Sequence, residues 1–209
     1  MKLGKIHMVR KWGALAIFAG AFAVWSTIHP TTPAMASGVE QAEAKATEVM
    51  GIRLSSAKRE DVRVAMNATK TPVIREDSLY WYDLYQAAAL LDGADQLAIG
   101  YSLADGRLGV LRYNFPAFMD TEKVRQVADM VVQKYGRPSR SSGDVNLGAV
   151  QYVWNLPDGI ILTVARGWPD TSVSLVYEVP SVSKKIAAEM AENEKAEKKN
   201  SAKRQSKNF

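Results

Sequence analysis

Residues 120–180 constrain the fold most, because they carry the start, stop and turn signals of one complete structural unit. Asp120 is a favoured helix N-cap, and Met119 ahead of it is expected to pack on the first helical turn. Gly136, with Pro138 soon after it, ends the helix. Three runs of alternating apolar and polar residues follow, which predicts a three-stranded antiparallel meander. The apolar positions of the helix are Val124, Val127, Ala128, Val131 and Tyr135.

Residues 51–116 form a less regular copy of the same unit. Ser55 or Ser56 is placed to cap a helix that ends before Pro72, because proline disfavours a helical residue ahead of it. Three runs with strand character follow, with glycine turns between them. We therefore predict an α+β fold with two tandem units of one helix and three strands (αβββ), at residues 51–116 and 117–182. The residues that align between the units are Pro72 with Pro138, Leu111 with Leu175, Tyr113 with Tyr177 and Pro116 with Pro180.

Each unit contains short motifs that match the pattern of a known family. Those of the first are Leu54-Ser55-Ser56, Asp61-Val62, Asn67, Pro72, Trp81 and residues 97–110, and those of the second are Tyr135-Gly136-Arg137-Pro138 and Trp154. They are similar to the SmpA/OmlA-type modules of bacterial envelope proteins, and the tandem arrangement resembles the β-lactamase inhibitor proteins. The resemblance implies an α+β fold and an envelope location, and it assigns no binding residues. The chain departs from it at residues 68–72, where the family has Leu-Gly, and in having no lipobox cysteine.

Residues 1–36 have the three parts of a secretion signal. A basic start precedes an uncharged apolar run from Trp12 to Ile28, and Ala34-Met35-Ala36 fits the small-x-small pattern of signal peptidase sites. We predict cleavage after Ala36 and a periplasmic or secreted mature protein. Because the apolar run approaches the roughly 20 residues that span a bilayer, an N-terminal anchor in the inner membrane is the alternative. Residues 37–50 are predicted to be a short helix or a linker.

The net charge of +5 is concentrated at the two ends of the chain. Residues 183–209 contain eight Lys or Arg and four Glu, and residues 1–36 contain four Lys or Arg and no acid. The middle of the chain is therefore mildly acidic. Because a nucleic-acid-binding domain places its basic residues on the folded surface that meets phosphate, we predict no nucleic-acid partner.

The chain has no Cys, and its two His residues, His7 and His29, both lie in the predicted signal. The mature chain would therefore lack thiol nucleophiles, histidine bases and the usual zinc ligands. A hydrolase would need two converging carboxylates, and no such pair stands out in the sequence. We predict a protein without enzymatic activity, cofactor or metal, and a carboxylate-based hydrolase is the least favoured alternative.

Two groups of residues are candidates for partner binding. Arg166, Trp168 and Asp170 place an arginine and a large aromatic residue at a predicted hairpin tip, and such residues dominate binding hot spots. Trp81 and Tyr85 lie on a strand with aromatic residues on both faces, so one face needs cover from the chain or from a partner. The predicted function is an exported module that binds an unidentified envelope protein or assists envelope assembly. A small-ligand or glycan-binding protein is the alternative.

The tail, residues 183–209, is predicted to be charged and solvated, with a helical start and disorder beyond Lys198. Besides Phe209, its large apolar residues are Ile186 and Met190. We expect removal of residues 184–209 to leave the thermal midpoint almost unchanged; if Ile186 and Met190 instead pack on the sheet, the loss is about 1.5–3 kcal/mol each. The alternative role for the tail is a weak, salt-sensitive contact with an anionic membrane surface.

Overall fold

The computed structural model describes residues 46–147, 149–167 and 172–206. Within them it contains three α-helices, one antiparallel sheet of eight strands and a separate two-stranded hairpin. The predicted α+β class is therefore confirmed. The predicted signal at residues 1–36, together with Trp168 and Asp170, lies outside the described residues.

Helices and strands are numbered in chain order. The helices are α1 (Arg59–Ala68), α2 (Lys123–Tyr135) and α3 (Pro180–Gln205), and a short 3-10 helix spans Val145–Leu147. The hairpin consists of β1 (Glu48–Val49) and β2 (Ile52–Arg53). The strands of the large sheet are β3 (Val73–Arg75), β4 (Tyr82–Gln86), β5 (Gln96–Tyr101), β6 (Leu108–Pro116), β7 (Arg140–Asp144), β8 (Ala149–Asn155), β9 (Ile161–Arg166) and β10 (Ser172–Glu178).

The large sheet has the strand order β3-β4-β5-β6-β10-β9-β8-β7, and every neighbouring pair is antiparallel. Helix α1 is followed by four of these strands and α2 by the other four. The last strand of each set, β6 or β10, lies in the middle of the sheet. These two strands form the seam at which the two halves of the chain meet, with pairing from Ser172 opposite Pro116 to Glu178 opposite Val110.

Each half contains the three predicted strands and also a fourth, unpredicted strand at the outer edge of the sheet. In β3, Val73 and Ile74 are 55% and 48% exposed. In β7, every residue from Arg140 to Asp144 is exposed. Because an edge strand that buries neither face needs no alternation of apolar and polar residues, periodicity does not reveal it.

Helix α1 begins later than the sequence predicts. Its first residue is Arg59, and the Asp61 carboxylate accepts a hydrogen bond of 2.9 Å from the backbone N–H of Lys58. Ser55 and Ser56 lie in the preceding turn. Asp61 therefore supplies the polar contact at the helix start that was expected from a serine.

Helix α2 also begins late, at Lys123. The Asp120 carboxylate accepts a hydrogen bond of 2.9 Å from the N–H of Glu122, so it caps the turn ahead of the helix. Met119 is 87% exposed, and its predicted packing on the first helical turn is wrong. The end of the helix agrees with prediction, because Gly136 follows it with a φ of 76°.

The helix alternative for residues 37–50 is wrong where the structure describes them, because residues 48–53 form the β1–β2 hairpin. Its two turn residues have φ values of 54° and 72°, which no right-handed helix contains. The backbone N–H and the hydroxyl of Thr47 donate hydrogen bonds of 2.6 and 2.8 Å to the Asp158 carboxylate, in the turn between β8 and β9. The hairpin segment contributes Val49, Ile52 and Leu54 to the core.

Helices α1 and α2 share one apolar core with alternate residues of the sheet strands. We call the side of the sheet that carries these residues the first face. The intervening residues of each strand point to the opposite side, the second face. Representative core residues are Val62 and Met66 of α1, Val124, Val127 and Val131 of α2, and Leu97, Ile99, Leu111, Leu162, Val164, Val173 and Leu175 of the strands.

Helix α3 differs from the tail that the sequence predicts, because it continues from Pro180 to Gln205. Ile186 is 2% exposed, and its Cδ1 lies 2.6 Å from the point where a Cβ on Gly109 would stand. The missing side chain of Gly109 lets the start of α3 pack directly on β6. Ile186 is therefore a core side chain and not a solvated one, so removal of residues 184–209 is now expected to lower stability.

Candidate functional site

Arg166 ends β9 and is only 6% exposed. Its guanidinium donates hydrogen bonds to the carbonyl oxygens of Asp120 and Phe118, the second at 2.8 Å. These bonds hold the loop between β6 and α2, in which Phe118 has a φ of 45° and is 71% exposed. Arg166 thus fixes a loop and presents little surface of its own. Trp168 and Asp170, its predicted companions, lie outside the described residues.

Trp81 immediately precedes β4 and is half-buried. Its indole Nε1 donates a hydrogen bond of 3.1 Å to Glu189 on α3, and Ser102 Oγ and the N–H of Leu103 donate to the same carboxylate at 2.7 and 2.8 Å. Burial alone would raise the pKa of Glu189, but these hydrogen bonds outweigh it and lower the pKa. The cover that the aromatic strand requires at Trp81 therefore comes from α3.

Tyr85 is fully buried, and its hydroxyl donates a hydrogen bond of 2.7 Å to Glu76. Burial, and next this hydrogen bond, raise the pKa of Tyr85 far above its usual range. Asp83, also fully buried, accepts two hydrogen bonds of 2.9 Å from Arg63, which lies 3.9 Å from Glu76 as well. Both carboxylates are thus paired with an arginine. Tyr85 belongs to the core and has no exposed surface for a partner.

The second face of the sheet has a regular layout. Residues directly opposite each other in an antiparallel pair point to the same side, so the register defines rows across the sheet. One row passes through the centre of the seam and crosses all eight strands, which at about 4.8 Å per strand gives a length of about 34 Å. This central row consists of Arg75, Leu84, Ala98, Arg112, Val176, Thr163, Val153 and Arg140.

A polar row lies beside the central row. Most of its side chains are amides, which offer both hydrogen-bond donors and acceptors. One of them is engaged, because Asn114 Nδ2 donates a hydrogen bond of 2.9 Å to Asp95. The polar row consists of Gln86, Gln96, Asn114, Ser174, Ala165 and Gln151.

A third row lies on the other side of the central row, next to the start of α3. Ser183 in the first turn of α3 donates a hydrogen bond to Glu178 of this row. The Tyr82 ring covers Gly100, where a Cβ would come within 2.7 Å of the ring. Burial raises the pKa of Tyr82, while nearby Arg112 acts to lower it and Glu178 to raise it. Arg112 and Glu178 are therefore both electrostatic neighbours of Tyr82.

Arg112 occupies the middle of the second face, directly opposite Val176 across the seam. The residue is half-buried, and its Nε is buried without a hydrogen-bond partner among the described residues. Buried polar atoms in native structures are normally bonded, and a guanidinium pairs well with a carboxylate in a two-bond geometry. Sequence reasoning missed Arg112. The sequence feature that could have indicated it is a charged residue within the alternating run of β6, at a position that points away from the apolar face.

The remaining chemistry of the described residues is sparse. In that part of the chain, no three His, Cys, Asp or Glu side chains are close enough together to hold a metal ion. Nor does any helix in the same residues have the length and apolar character needed to cross a membrane. Compared with protein-family models, curated proteins and solved structures, the chain has no significant match.

Proposed function

We propose that the chain is a non-catalytic protein-binding module whose binding surface is the second face of the large sheet, centred on Arg112. The observation that carries this proposal is the buried Nε of Arg112 without a hydrogen-bond partner among the described residues. A carboxylate of a partner protein would satisfy this donor. Hydrogen bonds to a charged group contribute about 1.5–3 kcal/mol each, which is enough to make one residue dominate an interface.

The surroundings of Arg112 support a protein partner. Its neighbours in the central row are small or apolar: Ala98 lies opposite it on β5 and Val176 on β10, with Leu84 beyond Ala98. The polar row supplies amide groups along one side. An apolar centre with a polar rim and a desolvated arginine is the usual composition of a protein–protein interface.

We also infer that the two halves are tandem copies of one unit, each with an added edge strand. Residues that align between the halves exchange places across the seam: Leu111 lies opposite Tyr177, and Tyr113 lies opposite Leu175. A two-fold axis between β6 and β10 produces this exchange. The axis passes through the intervening pair, which contains Arg112. Arg112 therefore stands at the centre of the face, where hot spots concentrate.

We propose further that the module works in the cell envelope after removal of residues 1–36. The basic, apolar and small-residue parts of that segment support export. Intact mass spectrometry of the protein from the export compartment tests this. A chain that begins at Ser37 is expected, and a chain that begins at Met1 would contradict cleavage.

Photo-crosslinking in intact cells tests the proposed surface. A photoreactive residue in place of Thr163, in the central row, should capture a specific protein. The same residue in place of Gln126, exposed on α2, is the matched control and should not. Capture from Thr163 should also be lost in Arg112→Gln. Equal capture from both positions, or capture that Arg112→Gln leaves unchanged, would contradict the proposal.

A further inference from the structure

We propose that the distal half of α3, residues 191–205, is an electrostatic contact for a bilayer surface that carries anionic lipids. This surface is separate from the second face of the sheet and does not depend on the function proposed for it. Every residue of the segment except Ser201 is exposed. The preceding turns, in contrast, bury Val182 and Ile186. The distal half is therefore helix that buries nothing against the described part of the protein.

The proximal half of α3 gives the distal half a fixed direction. Ile186 packs over Gly109, and the Glu189 carboxylate accepts hydrogen bonds from Trp81, Ser102 and the N–H of Leu103. At about 1.5 Å per residue, the distal half extends for about 22 Å. The proximal half is thus attached to the sheet, while the side chains of the distal half are exposed.

The distal half contains five basic and three acidic side chains, and the acidic ones all lie in its first seven residues. Residues 198–205 contain four basic side chains and no acidic one. Lys195, Lys199 and Lys203 recur every four residues, which places them on one side of the helix about 6 Å apart. Like charges at this spacing repel each other and disfavour the helix. An anionic surface would neutralise them together.

These lysines are not neutralised by ion pairs within the described residues. The ion pairs of α3 there are Lys185 with Asp105 and Lys198 with Glu194, at 2.8 and 2.6 Å. Lys195, Lys199 and Lys203 form none with residues 46–147, 149–167 or 172–206. Their ammonium groups therefore remain available to lipid phosphates.

Residues 191–205 contain no large apolar side chain, and this determines the kind of contact that the segment makes with a bilayer. A helix that inserts into the interface, or one that binds a groove on a protein, needs an apolar stripe. This segment offers alanine as its only apolar residue. Contact is therefore made by charge alone, and it must weaken steeply with salt.

Vesicle binding by the full chain tests the proposal. The test variant is Lys199→Gln/Lys203→Gln/Arg204→Gln. The control variant is Arg53→Gln/Arg137→Gln/Arg140→Gln, which removes three exposed charges from the rest of the protein. Sedimentation with vesicles of equal phosphatidylglycerol and phosphatidylcholine measures affinity, and pure phosphatidylcholine vesicles give the uncharged background. Circular dichroism verifies that both variants are folded.

The unsubstituted chain should bind the anionic vesicles at low ionic strength and lose this binding at about 0.5 M salt, where the Debye length is about 4 Å. Each basic side chain near such a surface contributes about fivefold, so the test variant should bind about a hundredfold more weakly. The control variant should bind like the unsubstituted chain. Absence of binding, equal binding by the test variant, an equal loss in the control, or persistence in salt would overturn the proposal. So would retention on duplex DNA without retention on vesicles.

Discussion

The indole of Trp81 and the carboxylate of Glu189 are joined by a hydrogen bond of 3.1 Å, although 108 positions separate them in the sequence. Ser102 and Leu103 donate to the same carboxylate. A single acidic side chain therefore attaches α3 to two loops at one end of the sheet.

We expect Glu189→Ala to lower the free energy of unfolding by about 2 kcal/mol, since three donors lose a charged acceptor. Urea denaturation measures the change. Glu197→Ala, an exposed position on the same helix, is the control and should stay within about 0.5 kcal/mol of the unsubstituted protein. Equal stability of the two variants would show that the Glu189 contacts contribute little.

The lowered pKa of Glu189 predicts a pH dependence. A carboxyl whose pKa is lower in the folded protein than in the unfolded chain stabilises the fold at pH values above the unfolded pKa of about 4.3. That contribution is lost as the pH falls through the folded pKa. The stability difference between the unsubstituted protein and Glu189→Gln should therefore be largest near neutral pH and shrink at about pH 3. A difference that does not change with pH would contradict this account.

Ile186 is the apolar part of the same attachment, at 2% exposure. We expect Ile186→Ala to cost about 2–4 kcal/mol, because it leaves a cavity over Gly109. Met190 is 42% exposed, and Met190→Ala should have almost no effect. A chain truncated after Ser183 lacks Ile186, and a chain truncated after Met190 keeps it. The first should therefore have the lower midpoint in thermal denaturation. Equal midpoints for the two truncated chains would contradict this account and would support the sequence-based prediction that the tail is dispensable for stability.

Arg166 is predicted to act on stability through the loop between β6 and α2. We expect Arg166→Gln to cost about 1–3 kcal/mol, because the carbonyl oxygens of Phe118 and Asp120 lose hydrogen bonds. Arg53→Gln, at an exposed position in β2, is the matched control. If Arg166→Gln weakened partner binding without a change in the urea midpoint, Arg166 would instead be a contact residue, as the sequence suggests.

Much of the fold follows from the sequence because the core-forming elements are periodic. Helix α2 is predicted by its apolar spacing, and its end by Gly136. The edge strands β3 and β7 escape prediction because they bury neither face. The packing of α3 escapes it for a different reason. It depends on Gly109, whose missing side chain matters only once β6 and α3 are in contact.

The residues of the candidate site were harder to predict from the sequence than the fold. Arg166 was a candidate because it lies at a predicted hairpin tip, and Tyr85 because it lies on a strand rich in aromatic residues. Both residues are buried in the fold. Arg112 stands in an otherwise ordinary strand pattern, and the role we propose for it depends on the register of β6 against β10. Strand order and register are long-range properties, and local spacing does not determine them.

The affinity of the chain for the protein captured at position 163 tests the central claim most directly. Isothermal titration should show that Arg112→Gln binds this protein about 10- to 100-fold more weakly, which corresponds to the loss of one charge-assisted contact. Arg53→Gln, which removes an exposed arginine outside the second face, should bind like the unsubstituted chain. Urea denaturation should place both variants close to the unsubstituted stability. An affinity of Arg112→Gln within about twofold of the unsubstituted value would contradict a binding surface centred on Arg112.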